Sequence, residues 1–359
     1  MDAKRFQEEA TRTVRINWAQ LHGPDIAILG AIGELGSLAS VLKKKQRDQN
    51  AYNDFELHFA EEIGDILWYV VTMASRMNIV LRDWPTSDGV THDEFELIYA
   101  LLDHVYLLHK RRYLLTSQEP VLEETNKLIQ DILINLQHLA SFINQNLSVI
   151  ALNCINKTIA YWAHPSGLSA RQFDKDCPYY EQLPRKFEIE FLPIEQSNST
   201  IMRMNGIQLG DRLTDNSYED DGYRFHDVFH IAGAGLLGWS PVFRSLLKAK
   251  RKSQPKKDEV EDGARAAIIE EAIINHIYDY ARPSFLENIK WVDLDLIKRV
   301  QRLVRGYEVS DCEPWEWQHC ILESYRIFRE LKKTGSGVLS VDADARTLTL
   351  SPIQEMKNL

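Results

Sequence analysis

The chain has 359 residues, of which 44% are hydrophobic and 26% are charged, and its formal net charge is −10. At about 150 residues per domain, this length predicts two domains. The acidic balance disfavours general nucleic-acid binding, because such proteins meet the phosphates with a basic face. Four scattered cysteines without a CxxC pair argue against a disulfide framework and a thiolate zinc site.

Targeting and membrane signals are weak in this sequence. We expect no apolar run to approach the roughly 18 residues that a membrane span requires. The N-terminus, MDAKRFQEEATRTVRINW, is charged and amphipathic, without the apolar core of a signal peptide. We therefore expect a cytoplasmic protein without membrane contact.

Helical periodicity dominates the first 165 residues. Apolar positions that recur every four residues predict a helix from Asp2 to about Leu21. Further helices are predicted over about 26–45, 52–79, 93–112, 121–147 and 148–162. Short connections and the lack of a strand pattern indicate an all-α domain over residues 1–165.

The composition changes in the second half, residues 166–359. The segment KFEIEFL alternates at period two, as a strand does, and two short apolar runs around Asn205-Gly206 predict a tight hairpin. Helices are predicted over about 223–237, 258–282, 293–304 and 314–331, with a solvated basic loop over 248–257. The tail VLSVDADARTLTLS predicts a last hairpin that completes a small sheet. The predicted fold class is mainly α: a helical-bundle domain, then an α-rich domain with a small β-sheet.

Acidic residues on the second and third predicted helices form the first candidate site. Glu62 and Asp65 are three apart, so both carboxylates leave one side of the helix, and Glu34 could face them from the preceding helix. Glu61 is the fourth candidate. Close carboxylates repel unless a cation lies between them, and Mg²⁺ prefers such oxygen ligands. A solvated helix face is the simpler interpretation, but Gly64 costs about 1 kcal/mol in a helix interior, which close helix packing or ligand access would explain.

Two segments around these acids, GAIGELGSLASVLKKK and EEIGDILWYV, carry a family resemblance. They resemble the metal-binding helices of the MazG-like, all-α nucleoside triphosphate pyrophosphohydrolases, whose pattern is ExxE, a spacer and ExxD. The resemblance implies that Glu34, Glu62 and Asp65 bind Mg²⁺ or Mn²⁺, and that a metal-activated water cleaves a nucleoside triphosphate into monophosphate and pyrophosphate. Ser37 stands where the second acid of the pattern is expected.

Other segments extend this resemblance. Lys43, Lys44 and Lys45 match the basic residues after the first metal-binding helix, which implies contact with substrate phosphates. NCINKTIAYW resembles the family's Asn-x-x-Lys segment, with Lys157 at the lysine and Cys154 where asparagine is expected. The helices over about 85–146 look like an insertion. A homodimer or higher homo-oligomer is also implied, because four-helix members build their sites across subunits. Ser37 and Cys154 depart from the family pattern, so a catalytically weakened nucleotide-binding protein is an alternative.

A second candidate site follows from RFHDVFH, in which two histidines at i and i+4 can reach one metal ion. Buried or capping histidines are the commoner outcome of this spacing. Downstream acids fall on one predicted helix stripe at i and i+8, and a further glutamate follows. The candidate residues are His226, Asp227, His230, Asp262, Glu270 and Glu271.

These residues predict a second divalent-metal site in the C-terminal domain. The surrounding segment, residues 210–273, is similar to a region that accompanies MazG-like domains in some bacterial proteins and has no assigned chemistry. A hydrolase whose metal site lies in this domain, with the first domain serving oligomerisation, is therefore the competing interpretation.

Overall fold

The computed structural model describes residues 1–86, 92–116, 123–163 and 169–353. The chain forms two compact units, Met1–Trp162 and Ala163–Leu359. The predicted boundary near residue 165 lies outside the described residues.

The first unit is a helical bundle organised around its third helix. The described helices are α1 Ala3–Thr13, α2 Gly23–Asp48, α3 Phe55–Arg76, α4 Glu94–Lys110, α5 Glu123–Phe142 and α6 Leu147–Trp162. Helices α1, α2, α5 and α6 all pack on α3. Its apolar positions Ile63, Leu67 and Val70 are consequently fully buried. This packing holds the polar edge of α3, which carries the acids, at the rim of the core.

Helix α1 is shorter than predicted, since it ends at Thr13 and not near Leu21. The β-branched residues Thr13, Val14 and Ile16 have low helix propensity, and Val14 adopts an extended conformation. The hydroxyl of Thr13 instead accepts a hydrogen bond from Trp68 on α3. The apolar periodicity of the sequence continues beyond Thr13. The helix nevertheless ends there, and Thr13 makes its hydrogen bond with Trp68.

Helix α2 corrects the expectation about apolar runs. By length and composition, Gly23–Ala51 could cross a membrane, although one such helix is weak evidence because a core helix passes the same test. Between Asp25 and Lys43 the only charged residue is Glu34, so the apolar stretch of α2 is longer than expected. One face of α2 supplies buried core residues, among them Leu35 and Leu38.

The second unit contains an antiparallel five-stranded sheet with the order β3-β2-β1-β4-β5. The strands are β1 Lys186–Pro193, β2 Thr200–Met204, β3 Ile207–Leu213, β4 Gly337–Asp342 and β5 Thr347–Ser351. Phe187, Ile189 and Phe191 alternate into the core from the central strand β1. The C-terminal hairpin pairs with β1, so the predicted mainly α fold with a small sheet is confirmed.

The described helices of this unit are α7 Asp227–Ala232, α8 Pro241–Leu246, α9 Pro255–Val260, α10 Ala264–Ala281, α11 Leu294–Leu303 and α12 Pro314–Thr334. The predicted helix 223–237 is divided into a 3₁₀ turn, α7 and a π-helical turn over Gly233–Leu237. A Cβ on Gly233 would lie 2.9 Å from the carbonyl oxygen of Trp239. Glycine therefore permits the close chain reversal that leads into α8.

The predicted helix 258–282 is likewise interrupted, because α10 begins only at Ala264. A Cβ on Gly263 would lie 2.1 Å from the carbonyl oxygen of Glu259, so the chain turns tightly here. The segment before the turn forms α9, which begins inside the predicted basic loop. This interruption changes which acids share a helix face.

Candidate metal centres

Helices α2 and α3 bring four carboxylates together in the first unit. Glu62 donates a side-chain hydrogen bond to Glu34 when it is protonated. Burial, which is the largest cause, and the charges of Glu34, Asp65 and Glu61 together raise the pKa of Glu62 to about 8. Acids that hold a proton for this reason form a site whose repulsion a cation would relieve.

Lys157 on α6 supplies a cation at one edge of this acidic cluster. Its Nζ lies 2.6 Å from Asp65 Oδ1 and 3.1 Å from Glu61 Oε1. Burial by itself lowers the pKa of Lys157, but the charges of Asp65 and Glu61 outweigh it and hold the pKa above its ordinary value. All three side chains keep between 22% and 24% of their surface exposed, so a ligand can reach them.

Gly64 and Cys154 determine how closely α3 and α6 approach each other. A Cβ on Gly64 would lie 3.1 Å from the Cβ of Cys154. The Cys154 thiol donates to the carbonyl oxygen of Gly64 at 3.2 Å, and burial raises its pKa to about 12. The thiol is therefore a neutral packing group, and the glycine permits the close contact that places Lys157 beside Asp65.

A cavity of about 220 Å³ opens between α3 and α6 next to these charges. Glu61 and Lys157 form its polar side. Its other lining residues are Leu57, Ala60, Gly64, Ile150, Asn153 and Cys154. A cation and acids beside an apolar wall suit a ligand with an anionic part and a flat apolar part.

The lysines at the end of α2 lie elsewhere on the unit. Lys45 Nζ lies 5.3 Å from the centre of the Phe55 ring, at the start of α3. At 1.5 Å per residue, Lys45 is about 16 Å along the helix from Glu34. Lys43 and Lys44 are exposed. The structure thus brings Lys157, and not the α2 lysines, to the acidic cluster.

The second cluster lies at the start of α7. His226, Asp227 and His230 each offer a ligand atom within 4.8 Å of the others. The Nδ1–H of His226 donates to the carbonyl oxygen of Tyr223 at 2.9 Å. The imidazole also stacks on the Tyr223 ring, with the ring centres 4.3 Å apart. Two contacts therefore hold one orientation of His226.

His230 is fully buried between two glutamates of α10. Its Nδ1 lies 2.8 Å from Glu270 Oε1, and its Nε2 lies 3.2 Å from Glu271 Oε1. Burial by itself lowers the pKa of His230, but both glutamates outweigh it and raise the pKa to about 10. The nearby His230 imidazole lowers the pKa of Glu271. Glu270 and Glu271 are consecutive on α10 and therefore point in different directions. Glu270 is buried, whereas the Glu271 side chain is 45% exposed.

Glu270 is positioned by groups that the sequence did not single out. Its carboxylate accepts from Ser240 Oγ at 2.6 Å and from the Val242 backbone N–H at 2.9 Å. The π-helical turn and the chain reversal at Gly233 place Ser240 and Val242 beside Glu270. The signal available in the sequence was Ser240-Pro241, a helix-cap pattern, and Ser240 does cap α8.

Asp262 belongs to a different cluster from the one predicted. It accepts from the Arg251 backbone N–H and from Arg251 Nη2, both at 2.7 Å, and both side chains are buried. Arg244 Nε lies 3.7 Å away. Because α10 starts after this aspartate, the predicted stripe that joined Asp262 to Glu270 does not exist. Arginine balances the charge of Asp262, so this carboxylate is not available as a metal ligand.

The fold and these clusters define a mainly helical protein of two units, with a carboxylate cluster in the first and a histidine-carboxylate cluster in the second. Residues 168–354, more than half of the chain, match the family model of the MazG C-terminal domain. The chain therefore belongs to the MazG C-terminal domain family. No curated protein and no solved structure matches it. The histidine-carboxylate cluster lies inside the matched residues, and the acidic cluster lies outside them.

Proposed function

We propose that this protein hydrolyses nucleoside triphosphates, either NTP or dNTP, to the monophosphate and pyrophosphate with the help of a divalent metal ion. The supporting observation is the convergence of Glu34, Glu61, Glu62 and Asp65, whose charges, after burial, contribute to the raised pKa of Glu62. The family of the C-terminal domain is compatible with this chemistry. The specific reaction is inferred from the acidic cluster and not from the family match.

The donor set fits Mg²⁺ or Mn²⁺. Glu34, Glu62 and Asp65, with Glu61 beside them, offer only carboxylate oxygens, which hard divalent ions prefer. In the absence of an ion, a proton on Glu62 reduces the negative charge of the cluster. A bound divalent ion would balance that charge instead. When bound, such an ion supplies positive charge to the phosphates and lowers the pKa of a water molecule.

Lys157 has the role of holding the substrate's phosphates. Its ammonium group already faces the cavity beside Glu61 and Asp65, and charge-assisted hydrogen bonds to phosphate oxygens are strong. The apolar wall that includes Leu57 and Ile150 then accommodates the base.

The direct test is a substrate panel. Purified protein is incubated with each NTP and dNTP, with Mg²⁺ and separately with Mn²⁺, and pyrophosphate and monophosphate are quantified. We expect equal amounts of the two products from at least one nucleotide. Release of orthophosphate alone, or no turnover of any nucleotide, would contradict the proposal.

Ser37 motivates the alternative of a weakened, nucleotide-binding protein. It is half-buried on α2, one turn beyond Glu34, where the resemblance implies a second acid. We expect Ser37→Glu to raise the rate of pyrophosphate release by about tenfold or more, because even groups that only support a metal ligand contribute that much. Ser40→Glu, one turn further along, is the matched control and should not raise the rate. A nucleotide affinity that is tight in calorimetry without turnover would favour the weakened protein.

An exposed apolar face on α2 and α4 supports a homodimer. Leu29 is 64% exposed and Tyr106 is 56% exposed, and both line a groove of about 630 Å³ with Ile32 and Leu102. Exposed apolar surface of this kind marks interaction sites. A second copy of the chain is the proposed partner, since Glu34 lies on the same helix and the related pyrophosphohydrolases build their sites across subunits.

Disrupting this face should change the oligomeric state. We expect Leu29→Glu to convert the dimer to a monomer, because a charge would be buried against apolar side chains. Light scattering after size exclusion measures the mass. Val80→Glu is the control, since Val80 is 68% exposed and lies outside the groove. A monomeric unmodified protein, or a dimeric Leu29→Glu variant, would refute this interface.

A further inference from the structure

Several buried polar atoms of the second unit have no hydrogen-bond partner among the described residues. Two of them, Asp227 Oδ2 and His230 Nε2, belong to neighbouring side chains on α7. Asp227 is 5% exposed and His230 is fully buried. Buried polar groups without partners destabilise a fold, so each such atom requires an explanation. Both residues belong to the cluster whose ligand atoms lie within 4.8 Å of one another.

The hydrogen bonds around the two imidazoles determine which ring nitrogen is available. The carbonyl oxygen of Tyr223 can only accept, so His226 places its proton on Nδ1. The Glu270 carboxylate accepts from Nδ1 of His230. In the neutral form, each ring therefore keeps its lone pair on Nε2. Metal-binding histidines are oriented in this way, by a carboxylate or carbonyl on the other nitrogen.

A further oxygen ligand stands on the solvent side. Glu271 Oε1 lies 3.2 Å from Nε2 of His230, outside hydrogen-bonding geometry for that atom. The Glu271 side chain is 45% exposed and that of His226 is 14% exposed. An ion held between these residues would therefore have access to solvent on one side and a buried anchor on the other.

An ion pair of His230 with Glu270 and Glu271, without a metal ion, explains fewer of these contacts. An imidazolium at His230 would balance Glu270 and Glu271. It would leave Asp227 Oδ2 buried without a partner, and it would not require His226 to be fixed by Tyr223. A metal ion accounts for the grouping of His226, Asp227 and His230 and for the carboxylate of Glu271 beside His230.

We infer that His226, Asp227, His230 and Glu271 form a binding site for a first-row transition-metal ion. Two imidazoles and two carboxylates are typical ligands of Zn²⁺, Fe²⁺, Co²⁺ and Mn²⁺, whereas the all-oxygen cluster of the first unit suits Mg²⁺. Glu270 is a positioning residue that orients His230. Nothing in this inference depends on pyrophosphohydrolase activity.

Cobalt is the probe that distinguishes the two sites. The full chain is stripped of metal with a chelator and titrated with Co²⁺, whose visible absorption reports nitrogen ligands and coordination number. We expect about one equivalent with nitrogen ligation per chain. His226→Gln and Glu271→Gln should each weaken its binding by at least about tenfold. Because both side chains reach solvent, these variants should fold, which thermal unfolding verifies.

Two controls complete the experiment. His319→Gln removes another half-buried histidine of the same unit, which contacts the Arg346 carbonyl oxygen, and should leave the cobalt spectrum unchanged. Asp65→Asn in the first unit should also leave it unchanged. A spectrum without nitrogen ligands, equal binding by folded His226→Gln, or a signal lost only in Asp65→Asn would overturn the inference.

Discussion

Asp65→Asn is expected to abolish pyrophosphate release, with a rate at least about 100-fold below that of the unmodified protein. Even groups that only support a metal ligand contribute 10–100-fold, so loss of a ligand should cost more. Asp65 also pairs with Lys157 at 2.6 Å, and the substitution removes the charge that holds this ammonium group at the cavity. Pyrophosphate release from the best nucleotide of the panel, with saturating Mg²⁺, measures the effect.

The fold should survive this substitution, because Asp65 lies at the rim of the core and asparagine retains its shape. Glu56→Gln is the matched control: Glu56 is an exposed acid in the first turn of the same helix and should keep the full rate. Equal activity in Asp65→Asn would place the chemistry outside the acidic cluster. A loss in both variants would indicate a general effect on α3.

Asp262→Asn is expected to lower the free energy of unfolding by about 3 kcal/mol, because removing one partner of a buried ion pair leaves the other charge uncompensated. Arg251 donates to Asp262 through its backbone N–H and its guanidinium group, and both side chains are fully buried. Glu308, 2.7 Å from Arg251 Nη1, retains part of the compensation. Urea denaturation, followed by tryptophan fluorescence, measures the change.

Glu259→Gln is the control for this stability effect. Its partner is Lys256, and the two side chains are 71% and 81% exposed, so the substitution should change the stability little. Asp262→Asn should also retain the cobalt site, provided the measurement is made on folded protein. A stability equal to that of the unmodified chain would show that the Arg251 charge is balanced without Asp262.

The helix pattern of the sequence predicted which acids could meet, but not their surroundings. Glu62 and Asp65 share one side of α3 because side-chain direction repeats every 3.6 residues. Glu34 faces them because a short connector makes α2 and α3 pack as neighbours. Lys157 was assigned by resemblance alone, since its contact with Asp65 joins residues that lie 92 positions apart.

The sequence pattern predicted the burial and pairing of charged residues poorly. The basic run over 248–257 predicted a solvated loop, yet Arg251 within it is fully buried. Asp262 was placed on a helix stripe with Glu270 because periodicity does not show where a helix begins. The close contact at Gly263 sets that beginning, and it involves backbone atoms that no side-chain pattern reports.

The sequence by itself determined the mainly helical class, the strands of the small sheet and the HDxxH spacing, because these depend on local patterns of apolar and turn residues. Only the tertiary structure decided which charges are neutralised and which remain available to a ligand. Asp262 is paired with arginine, whereas one oxygen of the buried Asp227 has no hydrogen-bond partner in the part of the chain that the structure describes. The physical reason is that burial and charge compensation depend on residues brought together from distant parts of the chain.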